Sequence, residues 1–439
     1  MKTYPKYKDS GIPWMGQIPE EWELCKMKSL TDYMRSGGTP TSNNLTYYTD
    51  EGGLCWVAIG DMSTTDIVYN TAKHITEEGR KSKNLCVFPK GTLLYSIYAS
   101  IGKVAELAVP ATINQAILAI KLNEQYLQTY CKYVLRAYEK HVASLASANT
   151  QANLSAEKVA NFILPVPSLA EQQAIAEYLD KKTGDIDELV GLLNKQIADV
   201  RAYRQSLITE TVTQGLNKDV PMKDSGVEWI GQIPERWRVL KLKHVSEICG
   251  RIGYRGYTAS DLVGQGEGAI TLSPSNIQDN KMTYQKCSYL SWNKYEESPE
   301  IQVHDGDILF TKTGSSYGKS AYVNYLPKEA TINPQLIVIK CKNSDSKFVS
   351  YILQTSIIST QVELSVVGGT IPTISQEAIG SYHLPIPSLS EQQQIVEFLD
   401  AKTKDIDELL SKLEAQVADL LAYKSSLISE VVTGKIDIR

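Results

Sequence analysis

The sequence predicts an α+β fold made twice over: two mixed α/β domains separated by two long antiparallel coiled-coil helices, arranged as a pseudo-two-fold internal repeat. Three observations carry this prediction. The run Lys8-Asp9-Ser10-Gly11, Trp14, Gly16-Gln17-Ile18-Pro19-Glu20 and Trp22 returns at Lys223 to Trp237, with 11 of 15 positions identical. Residues 164–213 return at 384–433 with 31 of 50 identities. Inside that second repeat, apolar residues recur every seven positions. Repeats of this length are duplicated domains rather than solenoid units. Between the matching blocks the two halves diverge, so one frame carries two different inserts.

The first domain, residues 1–165, is read as short strands broken by Gly, Asn, Asp and Pro. Examples are Cys55-Trp56-Val57-Ala58-Ile59, Thr92-Leu93-Leu94-Tyr95 and Ala116-Ile117-Leu118-Ala119-Ile120, with a helical piece near 125–142. The third segment, residues 218–385, has Asp307-Ile308-Leu309-Phe310 and Gln335-Leu336-Ile337-Val338-Ile339 as strands and a helical piece near 346–363. The two share a skeleton: Gly91 to Ser96 matches Gly306 to Thr311, and Thr112-Ile113-Asn114 matches Thr331-Ile332-Asn333.

Residues 166–217 and 386–439 each read as one long helix. Each opens on Ser followed three residues later by Glu (Ser168 and Glu171, Ser388 and Glu391), the signature of a capping box. Leu179, Ile186, Leu193, Val200 and Leu207 repeat every seven residues, as do Leu399, Ile406, Leu413, Leu420 and Leu427. The paired positions Lys182, Leu189, Gln196 and Tyr203, with Lys402, Leu409, Gln416 and Tyr423, are a weaker second row, and Val190, Ile197, Leu410 and Val417 widen the stripe. A sustained period of seven argues for coiled-coil packing. The simplest arrangement pairs the two helices antiparallel; the alternative lays each helix on its own domain.

Composition narrows the function. The 439 residues allow more than one core. No run of 18 apolar residues is present, and the opening Met1-Lys2-Thr3-Tyr4-Pro5-Lys6 lacks a secretory signal. Seven scattered cysteines fit neither a zinc cluster nor a disulfide framework and are expected of a reducing cytoplasm. The net charge of −5 resides in the helices: residues 168–217 and 388–439 carry 11 Lys+Arg against 18 Asp+Glu, whereas 1–167 and 218–387 carry 34 against 32. Such a balance neither supports nor excludes DNA.

Catalytic motifs are absent. Gly314-Ser315-Ser316-Tyr317-Gly318-Lys319-Ser320 is one residue short of a phosphate-binding loop, and Asn333-Pro334-Gln335 is not a methyltransferase motif. The five histidines show no ligand spacing, so no metal is expected, and no catalytic residue is assigned. What remains are polar, basic and aromatic loops at matching places. In the first half these offer Arg35, Ser36, Thr39, Ser96, Tyr98, Ser100 and Lys103. In the second they offer Arg251, Tyr254, Arg255, Tyr257, Ser273, Asn276, Lys312, Thr313, Ser315, Tyr317 and Lys319. Arg reads guanine edges, Asn reads adenine, and Ser, Thr and Lys position phosphates. Ordinary Gly-Ser turns would look similar one at a time; matching positions with different side chains favour recognition.

The chain resembles the specificity subunit of type I restriction–modification systems. The resemblance rests on Pro-x-Pro-x-x-x-Glu-Gln-Gln at 165–173 and 385–393 and on Asp185-Ile186-Asp187-Glu188-Leu189 with its copy at 405–409. It rests also on the Leu-Ile-x-Glu-x-Val-Thr helix ends at 207–213 and 427–433, and on Gly-x-Ile-Pro-x-x-Trp at 16–22 and 231–237. It implies a non-catalytic subunit with two target recognition domains, each reading half of a bipartite double-stranded DNA site, and helices that set the spacer and dock methyltransferase subunits. The resemblance places S-adenosylmethionine on those modification subunits and ATP on a restriction (translocase and nuclease) subunit, with no cofactor in this chain and no membrane partner. Internal symmetry adds the expectation of two modification subunits per chain. A standalone methyltransferase or nuclease of unfamiliar type and a coiled-coil scaffold linking two protein-binding domains are the rival readings. The first requires S-adenosylmethionine turnover by the chain alone, and the second no salt-sensitive DNA affinity.

Overall fold

The computed structural model describes residues 2–439 apart from 51, 64, 99, 146–153, 252 and 368–371. It resolves into two compact units: Met1–Asn194 with Ala415–Arg439, and Lys195–Glu414. Residues 169–214 form one helix and 389–432 the other. The division therefore cuts both helices, after Asn194 and after Glu414, and each unit keeps a stretch of each helix beside its own sheets.

The two units repeat one topology. In the first, strands Thr31–Ser36, Ile117–Leu122, Leu93–Ser96, Val104–Leu107 and Ile67–Val68 lie side by side in that order. In the second, Ser246–Gly250, Leu336–Cys341, Ile308–Thr311 and Ser320–Tyr322 follow the same order. A second, four-stranded sheet accompanies each, and in both it holds one parallel pair: Ala111–Ile113 on Leu54–Val57, and Ala330–Ile332 on Gly268–Leu272. Ile117, Leu118, Ala119 and Ile120 are all buried because successive side chains leave a strand on opposite faces. Leu118 and Ile120 join the core beneath the helices, Ile117 and Ala119 the core shared with the second sheet. Ile337 and Ile339 against Leu336 and Val338 do the same in the second unit. An unbroken apolar run is what a strand covered on both faces requires. The helical pieces expected near 125–142 and 346–363 are Gln128–Leu145 and the pair Ser346–Leu353 and Ser356–Ser365.

The glutamines of the Glu-Gln-Gln motif explain themselves in space. Gln172 and Gln392 are almost fully buried. Gln172 accepts from Leu127 N at 2.8 Å and donates to Pro167 O at 2.9 Å. Gln392 accepts from Asp345 N at 2.8 Å and donates to Pro387 O at 3.0 Å. Each therefore hooks the start of its long helix to the helix that follows the central strand. A turn further on, Tyr133 donates to Asp180 (2.5 Å) and sits 3.2 Å from Thr183, while Tyr351 donates to Asp400 (2.7 Å) and sits 3.3 Å from Thr403. The capping boxes are only half formed. Ser168 and Ser388 accept from Glu171 N and Glu391 N at 3.3 and 3.4 Å, but the glutamates turn outward. Glu171 accepts from the Tyr4 hydroxyl at 2.6 Å and Glu391 pairs with Arg236 at 3.1 Å, so each carboxylate clamps the segment that enters its unit.

Along the helices the seven-residue stripe lies on the packed face. Leu179, Ile186, Leu399, Ile406, Leu413 and Leu427 are buried, and Leu193, Val200, Leu207 and Leu420 are partly so. The second row differs from expectation: Lys182, Leu189, Gln196, Tyr203, Lys402, Leu409, Gln416 and Tyr423 are exposed. The stripe pairs instead with positions four residues on, Thr183, Val190, Ile197 and Arg204 in one helix and Thr403, Leu410, Val417 and Lys424 in the other, all buried or partly buried. This is still a 3–4 heptad seam, and it admits a cation at one place in each helix. Arg204 uses that place to meet Asp407 at 3.1 Å, with Arg201 meeting Glu414 at 2.7 Å. Contact numbers rise on one helix as they fall on the other, so the helices run antiparallel. Lys424 meets Asp187 at 2.7 Å in the first unit. Asp187 and Lys424 are the repeat counterparts of Asp407 and Arg204, so one ion pair is made twice. Each helix ends on a glycine of positive φ (Gly215, +74°; one residue after Thr433, Gly434, +69°), the left-handed backbone that closes a helix C-terminus.

Replacing Gln392 by Leu strands a buried amide and a buried carbonyl, which should cost roughly 2–4 kcal/mol. Hydrogen exchange should quicken at 344–350 and 388–392 while the first unit stays protected; Gln172→Leu should give the converse pattern.

Candidate nucleic-acid interface

Loops that could read DNA must present polar atoms not already engaged by the fold, and the structure separates two kinds among the sequence candidates. In the first unit Arg35 and Ser36 are exposed at the end of their strand. The Arg35 guanidinium lies 5.2 Å from the Tyr33 ring and 3.7 Å from Cys86 Sγ. Thr39 donates to the Gln115 side chain. Between them, a side chain on Gly37 would meet Ile113 O at 1.7 Å, so only glycine lets the loop cross the sheet edge there. Tyr98 and Ser100 are exposed. Ser96, by contrast, is buried; its hydroxyl donates to Ser100 O and accepts from Lys103 N at 2.9 Å, closing the turn. The Lys103 ammonium pairs with Glu139 at 2.6 Å. Ser96 and Lys103 therefore shape the loop.

The second unit corrects more of the candidates. Arg251 is 7% exposed, and its guanidinium donates to Ile332 O at 3.1 Å, Thr331 Oγ1 at 3.1 Å and Arg255 O at 3.3 Å. The Tyr257 ring stacks on it at 5.1 Å, and burial pushes its pKa down. Each of its three nitrogens donates within the fold and the side chain is almost fully buried, so this arginine organises the loop. Arg255 reaches Glu300 at 3.4 Å. Asn276 is likewise internal, donating to Thr283 O and Lys286 O at 3.0 Å and accepting from Ser273 N at 2.9 Å. It ties off the Ser273 turn and cannot read adenine. The Tyr254 side chain lies outside the described residues. Ser315 and Lys319 are exposed, and with Tyr317, Gln205, Asn280 and Gln354 they line a cavity of about 520 Å³. Thr313 bridges to Thr373.

Lys312 behaves differently: it is half-buried and makes no ion pair or side-chain hydrogen bond among the described residues. Burial pushes its pKa below the ordinary lysine range. Near it lie Gln335 and Gln376, which sequence reasoning missed; the only available signal was Asn333-Pro334-Gln335 directly after the shared Thr-Ile-Asn. Lys26 and Lys28, with their repeat counterparts Lys241 and Lys243, make no ion pair among the described residues. They supply positive charge beside the same strand pair in each unit. No group of three His, Cys, Asp or Glu able to hold a metal occurs among the described residues, and no helix there is long and apolar enough to cross a membrane.

The geometry is that of two copies of one scaffold carrying unlike polar loops, and it defines the class: a protein built by internal duplication. The model of the type I restriction modification DNA specificity domain matches twice, at residues 19–198 and 234–418, and the chain belongs to that family. It is 23% identical over 447 residues to the MjaIX type I restriction enzyme specificity subunit of Methanocaldococcus jannaschii, covering 99% of this chain and 97% of that one. It is 23% identical over 333 residues to the EcoBI specificity subunit of Escherichia coli, covering 74% and 68%. A chain from a solved type I restriction–modification system superposes with a TM-score of 0.71 at 17% identity, covering 95% of this chain and 99% of that one. The chain is thus a type I specificity subunit with two DNA specificity domains.

Arg251→Ala should destabilise the second unit by about 2–4 kcal/mol, through lost charged hydrogen bonds and an emptied stack. Arg35→Ala should change stability by less than about 0.5 kcal/mol. Thermal unfolding with hydrogen exchange at 246–257 and 330–333 distinguishes the two.

Proposed function

We propose that each unit reads one half of a bipartite double-stranded DNA site through the major groove, and that the paired helices fix the spacer and dock two methyltransferase subunits per chain. The observation that carries this reading is the repetition of scaffold without repetition of loops: the Gln172 and Gln392 hooks and the doubled ion pair hold equivalent frames, while Arg251, Tyr257 and Lys312 have no like counterparts in the first unit. Two unlike readers imply an asymmetric target. The second row of the heptads supports docking. Leu189 and Tyr203 are 49% and 59% exposed, and their repeat counterparts Leu409 and Tyr423 are 42% and 48% exposed. Two equivalent apolar patches suit two copies of one partner.

On this reading the chain is itself non-catalytic and cytoplasmic. S-adenosylmethionine belongs to the modification subunits, which extrude the target adenine from the duplex, and ATP to a restriction subunit. Lys26, Lys28, Lys241 and Lys243 contact phosphates.

DNA affinity of the assembled complex should fall steeply with salt, log K declining linearly with log salt concentration, because each phosphate contact releases counterions. Weak dependence would favour a protein scaffold. Native mass spectrometry should show Tyr203→Asp and Tyr423→Asp each losing one methyltransferase copy and the double variant losing both. Inserting seven residues after Leu193 and after Leu413 should lengthen the tolerated spacer; an unchanged spacer would refute the ruler.

A further inference from the structure

The two units can be aligned atom by atom around Lys312. Lys312 N donates to Gln335 O at 2.8 Å and its carbonyl accepts from Ile374 N at 2.8 Å. In the first unit Ile97 N donates to Ala116 O at 2.8 Å and its carbonyl accepts from Leu154 N at 3.0 Å. Lys312 therefore stands where the first unit has Ile97, and Gln335 where it has Ala116. Ser155 and Ser375 cap the short helices Ala156–Ala160 and Gln376–Gly380, so Gln376 stands for Ala156. Gly250 pairs with Ile337 as Ser36 pairs with Leu118, so Gly250 stands for Ser36. Isoleucine and two alanines complete this part of the fold in one unit; the other replaces them with a lysine and two glutamines around a glycine. The scaffold does not need those polar groups.

Their orientation is fixed. Gln376 donates through Nε2 to Ile248 O at 2.6 Å, which turns its Oε1 away from the strand. Gln335 Oε1 accepts from Asn333 Nδ2 at 3.1 Å, leaving its Nε2 without a partner among the described residues. A Cβ placed on Gly250 would come 3.1 Å from Gln376 Oε1 and 3.7 Å from Lys312 Nζ, so the glycine keeps open a space that both groups border. A half-buried ammonium with no carboxylate partner among the described residues is costly unless a ligand supplies acceptors. The space at Gly250 thus faces a donor, the Lys312 ammonium, and one acceptor, Gln376 Oε1.

We propose that Lys312, assisted by Gln376, reads one G·C base pair of the half-site bound by the second unit. Guanine presents N7 and O6, two adjacent acceptors, and its cytosine presents the N4 donor. An adenine would set its N6 donor against the ammonium, which has no acceptor to offer. The inference rests on the reading of the second unit as a DNA reader and names the base pair it selects.

The test selects duplexes randomised across both half-sites with the full chain assembled with its methyltransferase subunits. Lys312→Ile installs the residue that the first unit tolerates at this place, so folding is retained; unchanged hydrogen exchange verifies it. The wild-type complex should prefer G·C at one position of one half-site by roughly 5- to 150-fold. Lys312→Ile should abolish that preference, Gln376→Ala should weaken it at the same position, and the other half-site should be unaffected. A motif retained by Lys312→Ile overturns the inference and leaves the DNA-reading function standing. So does an equal loss for all sequences with a salt slope reduced by about one, which marks a phosphate contact. A wild-type complex that selects no motif in either half-site overturns both.

Discussion

A helix carrying an aliphatic residue at every seventh position, from Leu179 to Leu207 in one copy and from Leu399 to Leu427 in the other, cannot leave that stripe in water, and the way it is covered constrains everything else in this chain. Each unit covers it twice: the start of one long helix packs on the unit's own sheet and helices, and the end of the other packs alongside. Burial supplies most of the driving force, since each buried Leu or Ile contributes roughly 1.5–3 kcal/mol. It does not by itself set register, because leucine packs almost as well one heptad away. The polar groups do. Asp187 with Lys424 and Asp407 with Arg204 are satisfied in only one register, and a cation left within an apolar seam without its carboxylate would be heavily penalised. The buried glutamines act similarly at the other contact, Gln172 bonding three backbone groups and Gln392 two.

This division of labour frees the loops. With the frame held by hooks that belong to the repeats, residues between the strands can change without disturbing the core. Ile97 and Lys312 occupy one backbone position with matched hydrogen bonds and have opposite chemistry. Freedom is not uniform, however. Arg251 shows a loop that acquired its own internal scaffold, a guanidinium donating to three acceptors and stacked on Tyr257, which makes it as fixed as any core residue. Divergent sequence is therefore a poor guide to which side chain meets the ligand.

That is also why the fold was more legible in the sequence than the site. The duplication, the long helices and the doubly buried strands announce themselves through identity and periodicity, which depend on many residues at once. The second row of the heptad was misread because Leu189, Leu409, Tyr203 and Tyr423 are apolar and correctly spaced, yet face outward; Thr183, Arg204 and Lys424 are polar and face in. Periodicity alone cannot tell a seam from its neighbour when a paired charge stands in the better position. Reading residues are harder still. Arg251 and Asn276 have the right chemistry for bases, but their partners (Thr331, Ile332, Thr283 and Lys286) lie far off or carry only backbone atoms, and no local pattern reveals that they are engaged. Gln376 had no motif to mark it, and Gln335 only its place after the shared Thr-Ile-Asn.

The distribution of charge closes the physical picture. A DNA reader with a net charge of −5 would be paradoxical if its charge were evenly spread. The excess of acid is confined to the helical repeats, where Asp187 and Asp407 neutralise seam cations and further carboxylates face solvent. Fields from exposed charges fade within about 8–10 Å in physiological salt, so acid on a helix does little to a phosphate held farther off than that. Close to the helix the same acid repels a duplex, which discourages binding along the helices. Net charge counts the whole chain, but DNA responds to the few ångströms it touches. Among the described residues the lysines at 26, 28, 241, 243 and 312 make no ion pair, so each unit keeps positive charge that the net figure hides.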